Sequence, residues 1–205
     1  MRHRYLLCAK RTLFLLPLCL ALLACGWMPG VERLTPALPA PTLATAEISG
    51  ATVTYYDIRG STVAELSAAM NESGPVAYDG WKGAAATHWY ISWEWPGYGS
   101  ADCRLDEADI SYQLDVTLPR WKPPADVSPE LVAEWNDYIR ALAGHEQRHV
   151  DFVPEGAAQA GQAIRAATCE TAEEAAQAAV ETIRQRDRDY DAATNHGATQ
   201  GAIFP

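Results

Sequence analysis

The sequence predicts an α+β fold, a small antiparallel sheet packed with a C-terminal helical half. Three observations point there. Two segments in the first part of the chain alternate between apolar and polar residues, as half-buried strands do. Apolar residues after Ser128 recur instead at spacings of three and four, the period of a helix. The order of elements is strand, helix, strands, then helices, which suits α+β rather than repeated βαβ units.

The first strand is read at residues 51–58, where Val53, Tyr55, Tyr56 and Ile58 are β-branched or aromatic. Gly60 ends it. Ser61 is positioned to cap a helix that carries Val63, Leu66, Ala69 and Met70 on one side, and Gly74-Pro75 stops that helix. A strand at 86–95 puts Trp89, Ile91, Trp93 and Trp95 on one face and His88, Tyr90, Ser92 and Glu94 on the other. Residues 110–118 alternate in the same way, and the prolines of 119–124 predict a rigid connection after them.

Ser128-Pro129-Glu130 is a helix start: a cap, a proline in the first turn, then an acid. Leu131, Trp135, Tyr138 and Leu142 form its apolar stripe, and the same spacing continues through His145, His149 and Phe152. Pro154 is expected to end or kink this helix, with a short helix following at 155–167. Thr171-Ala172-Glu173-Glu174 has the form of a capping box. It would open a last helix through Ala176, Val180 and Ile183 to Tyr190, leaving residues 191–205 as an ordered loop.

The N-terminal segment reads differently. Arg2, Arg4, Lys10 and Arg11 precede an apolar run from Leu13 to Ala24 that is too short for an ordinary membrane span of about 20 residues. This is the pattern of an export signal, assigned to residues 1–24. The junction Leu22-Leu23-Ala24-Cys25 resembles a bacterial lipobox, so Cys25 is the expected lipidation site and membrane anchor. Residues 25–46, with Pro29, Pro36, Pro39 and Pro41, read as a tether, and 47–205 as one domain. The expected location is the bacterial cell envelope, lipid-anchored or periplasmic. Cys103 and Cys169 are the cysteines left over, and an exported chain would pair them. The net charge of -10 argues against nucleic acid as a partner.

The chemistry sits in His145-Glu146-Gln147-Arg148-His149, the H-E-x-x-H pattern. Residues four apart share a helix face, so both imidazoles can ligate one Zn2+, with Glu146 beside them as the general base toward a metal-polarised water. Because both histidines lie on the apolar stripe, they would be buried and in need of polar partners, which a metal provides.

The chain also resembles a bacterial family of predicted secreted zinc-dependent proteases, a domain of unknown function. The resemblance spans residues 53–205. It rests on Tyr56-Asp57-Ile58, Ala86-Thr87-His88-Trp89, Leu118-Pro119, the helix with His145, Glu146 and His149, and a tail. The tail motif is Tyr190-Asp191-x-x-Thr194-x-His196-Gly197-x-x-Gln200-Gly201-Ala202. The resemblance implies a zincin-like helix and a protease.

Catalytic zinc usually has three protein ligands, so a third must come from elsewhere. The glycine-containing tail offers His196, taken as the ligand, and Asp191, taken as its support or substitute. Tyr190 is the candidate for polarising a substrate carbonyl. The expected activity is an exported zinc metallopeptidase acting on peptide or protein substrates. Two alternatives stand beside it. One is an envelope binding lipoprotein with a structural or vestigial zinc site. The other is a zinc amide hydrolase acting on cell-wall material.

Overall fold

The computed structural model describes residues 42–77 and 80–205. The expected signal peptide, the expected lipidation site Cys25 and most of the expected tether fall on residues outside these. The described elements are β1 (Thr52–Ile58), α1 (Val63–Ser73), β2 (Ala86–Glu94), β3 (Asp109–Trp121), α2 (Pro129–Ala166) and α3 (Ala172–Thr194). Short 3-10 turns lie at Leu105–Glu107 and Ala198–Gln200.

The fold is α+β, and its sheet is mixed rather than antiparallel. The strand order is β1-β3-β2, with β1 parallel to β3 and β2 antiparallel to it. The expectation failed at β1 because α1 and the segment after it carry the chain across before β2 begins. Parallel pairing needs such a crossover, and strand patterns alone do not reveal it. β3 also runs on through Pro119 to Trp121, where a connection was expected. Pairing with β2 ends at Thr117, so Pro119 faces only β1 and its missing N–H breaks nothing on the other side.

The helical half departs from expectation at Pro154. α2 runs unbroken through it and is 38 residues long in all, about 57 Å at the usual rise. Burial stays in helical register on both sides, through Val150, Phe152, Val153, Ala157, Ala160 and Ile164. That packing offsets the backbone hydrogen bond the proline forfeits. α3 packs along α2, and Gly156 is what lets them meet: a Cβ there would sit 2.1 Å from Ile183 Cδ1. Capping differs in detail too. Thr62, not Ser61, accepts from the Glu65 N–H, and Thr171 bonds back to the Thr168 N–H instead of closing a capping box.

The main core lies between the sheet and α2, around Leu66, Val116, Leu118, Trp121, Trp135 and Ile139. Asn136 on α2 reaches out to residues 42–46, which were expected to be tether. It donates to Thr42 O at 2.7 Å and accepts from the Ala44 N–H at 2.6 Å, while Ala46 is buried. The domain therefore begins earlier than the composition suggests. A smaller cluster holds Trp95, Leu105, Ile164, Ala172 and Ala176, beside the disulfide between Cys103 and Cys169. This bond ties the loop after β2 to the turn between α2 and α3. No described helix is long and apolar enough to cross a membrane.

Candidate metal centre

His145 and His149 lie one turn apart on the buried stripe of α2, at 5% and 8% exposure. α3 brings Asp187 and Asp191 against them, again one turn apart. His149 Nε2 lies 3.1 Å from Asp191 Oδ1, and His145 Nε2 lies 3.2 Å from the same oxygen. The two Nε2 atoms are 3.4 Å apart. His145, His149 and Asp191 are thus a group that could hold a metal ion.

The outer nitrogens support this fit. His149 Nδ1 is 3.1 Å from Asp187 Oδ1, and His145 Nδ1 is 3.0 Å from Gln200 Oε1. A carboxylate accepts only, so His149 donates through Nδ1. If His145 likewise donates to Gln200, both Nε2 lone pairs and one Asp191 oxygen converge on a single point. Three lone pairs can face each other only with protons or a cation between them. In the protein alone a proton serves. Burial pulls the His149 imidazole down, but the bonds to Asp187 and Asp191 outweigh it and push it up to about 10. Burial works to raise Asp191 as well, and the two imidazoles overcome it, holding that carboxyl well below the usual range.

Glu146 is buried beside His145, and its Oε2 accepts the Thr87 hydroxyl of β2 at 2.7 Å. Burial pushes its carboxyl up, against the Thr87 bond and the nearby imidazoles. A carboxyl whose affinity for protons is raised suits general acid–base work. The group opens on a cavity of about 700 Å³ lined by α1, β2, α2, α3 and the tail.

Residues 53–197 match a bacterial family of proteins of unknown function, DUF922. The chain belongs to that family. No curated protein and no solved structure matches it.

Within this DUF922 domain the tail residues are distributed in a way that spacing alone left open. Asp191 stands with the two histidines, in the position assigned to His196. His196 has left-handed backbone (φ 51°) just past the end of α3, and its ring stacks on Trp81 at 4.5 Å. Its Nδ1 is 3.9 Å from Asp191 Oδ2, and it lies outside the ligand group. The reason is geometric: Asp191 is still on α3 and shares a face with Asp187, whereas the chain has already turned at Asn195. Tyr190 stacks on His145 at 5.0 Å and meets His149 edge-on at 5.1 Å. Its hydroxyl donates to Gln200 Oε1 at 3.1 Å. Gly197 lets the tail pass this close, since a Cβ there would lie 3.0 Å from His145 Cγ.

Three participants escaped the sequence reading: Asp187, Thr87 and the bonding role of Gln200. Asp187 carried a legible signal, because Asp187 and Asp191 repeat the four-residue spacing of His145 and His149. Thr87 and Gln200 lay inside motifs of the family resemblance, but nothing local marked them as partners of Glu146 and His145.

Proposed function

We propose that this DUF922 domain is a zinc-dependent metallopeptidase with a zincin-like H-E-x-x-H helix. The observation that carries the reading is the convergence of His145, His149 and Asp191 beside a buried Glu146, at the wall of a 700 Å³ cavity. In this reading His145 and His149 hold the zinc through Nε2 and Asp191 through its carboxylate. Bound there, zinc would supply Lewis acidity, polarising the scissile carbonyl and acidifying water. Among the described residues the group has three protein ligands, the number typical of catalytic zinc sites, which keep a further position for water or substrate.

Glu146 takes the proton from the attacking water and passes it to the leaving amine nitrogen. Thr87 fixes the carboxylate that does this. Asp187 and Gln200 hold the two imidazoles in the orientation that turns Nε2 inward. Tyr190 is assigned a positioning role against both rings, in place of carbonyl polarisation, because its hydroxyl is engaged by Gln200.

The domain would act outside the cytoplasm, anchored through a lipidated Cys25. The Cys103–Cys169 bond supports an oxidising compartment. Mass spectrometry of the membrane fraction decides the anchor, and an unmodified N-terminus beyond Cys25 would refute it.

The test of the activity is a peptide library assay on zinc-loaded full-length protein. Hydrolysis should stop with a chelator and return with zinc. Glu146→Gln should keep its metal and lose about 100-fold to 10,000-fold in rate, the usual range for a general base. A fully loaded wild-type protein that cuts no peptide, or an undiminished Glu146→Gln variant, would overturn the reading.

A further inference from the structure

The cavity beside the metal group is chemically two-ended, and the ends follow from the helices. His145 meets Asp191, while His149 meets both Asp191 and the earlier Asp187, so α3 runs antiparallel to α2 here. Arg184 and Arg188, which line the cavity from α3, therefore lie toward the His149 end. In the other direction along α2 the lining is apolar: Leu142 comes three residues before His145 and Tyr138 seven before. At the usual helical rise those residues lie about 4.5 and 10 Å from His145 along the axis.

Met70, Ala84 and Phe204 add apolar surface there, from α1, the segment before β2 and the tail, while Ser67 and Asn71 of α1 also line the cavity. Tyr138 and Phe204 hold each other at 5.1 Å between ring centroids. The one polar atom on these side chains, the Tyr138 hydroxyl, is already bonded to Met70 Sδ at 3.4 Å. A polar or charged group set against these side chains would lose water and gain no partner from them. An apolar side chain would gain by burial. The reach also fits. One extended peptide residue spans about 3.3 to 3.6 Å, so a residue next to the reacting carbonyl can set its side chain over Leu142 and toward Tyr138. The total volume, about 700 Å³, is in the range of sites that enclose a ligand of several residues.

We infer that the substrate is a peptide bearing a large apolar or aromatic side chain beside the scissile bond, seated between Leu142, Tyr138, Met70 and Phe204. This rests on the peptidase reading of the same site. It names the substrate class that reading leaves open.

The test measures binding apart from turnover. Blocked tetrapeptides Ac-Ala-Ala-X-Ala-NH2, with X as Phe, Leu, Gly or Asp, are titrated calorimetrically into zinc-loaded Glu146→Gln protein. The Phe and Leu peptides should bind at least about 10-fold tighter than the Gly and Asp peptides, the discrimination an apolar pocket achieves. Ala84→Met in the same background should narrow the pocket and weaken the Phe peptide with zinc content unchanged. Leu142→Ala should enlarge it and shift preference from Leu toward Phe, with a thermal melt confirming folding. Equal binding of all four peptides, or a preference that neither variant moves, would overturn the inference. Hydrolysis by wild type that is indifferent to X would overturn the pocket and leave the peptidase standing. Selective binding with no hydrolysis would do the reverse.

Discussion

Asp187 joins two parts of the site through one carboxylate. Its Oδ1 faces His149 Nδ1 at 3.1 Å, and its Oδ2 accepts the Trp89 indole N–H at 2.7 Å. The edge strand β2 thereby fixes the carboxylate that orients a candidate ligand. Asp187→Asn keeps the shape and can still meet one partner, but it offers a weaker acceptor to the imidazole. It should lower zinc affinity by about 10-fold to 100-fold, the cost usual for such outer partners. Competition against a chromogenic chelator reads this, and unchanged affinity would reduce Asp187 to a packing residue. A second carboxylate acts on stability alone. Arg120 and Lys122 bond Asp57 and hold its carboxyl down at about 2. An unfolded aspartate titrates at about 3.9, so the folded value is the lower one. The stabilisation is then complete above the unfolded value and is lost as pH falls through the folded value. Asp57→Asn should flatten the decline of melting temperature over that acid window, and a parallel decline in both proteins would contradict this assignment.

At the scale of elements, the α2–α3 pair sets the geometry of the centre, since each helix contributes two residues one turn apart. Gly156 and Ile183 meet tightly within that contact. Gly156→Ala gains about 1 kcal/mol in helix propensity. It also forces a Cβ to within 2.1 Å of a side chain that is itself buried. Overpacking of this kind costs about 1 to 3 kcal/mol, so the net effect should be destabilising. It should also spread the helices and weaken metal binding. Chemical denaturation checks the first effect, and a Gly156→Ala variant as stable as wild type would mean that Ile183 repacks freely. Part of this helical arrangement was legible in the sequence and part was not. The stripe from Leu131 to Phe152 was legible because burial on α2 follows its period. Pro154 misled because a local rule was outweighed by packing against α3, which only the folded chain supplies.

Over the whole molecule, what was legible was what repeats or pairs by chemical type. Alternation gave β2 and most of β3, spacing gave the His145–His149 pair, and two leftover cysteines gave the Cys103–Cys169 bond. The choice between the two tail candidates for the third ligand was not legible, because Asp191 and His196 are five residues apart in sequence and part company only where α3 ends. The parallel β1–β3 pairing was hidden for a similar reason, as it joins segments about sixty residues apart through a crossover. Both outcomes bear on one claim: that α2 and α3 together hold a catalytic zinc ion. Calorimetric titration of zinc into chelator-treated protein tests it most directly, using wild type, Asp191→Ala and His196→Ala. Wild type should take up one zinc per chain, Asp191→Ala should lose it almost completely, and His196→Ala should bind within about 3-fold of wild type, as expected for a residue outside the ligand set. No zinc uptake by wild type, or a His196→Ala protein that loses zinc while Asp191→Ala retains it, would contradict the account.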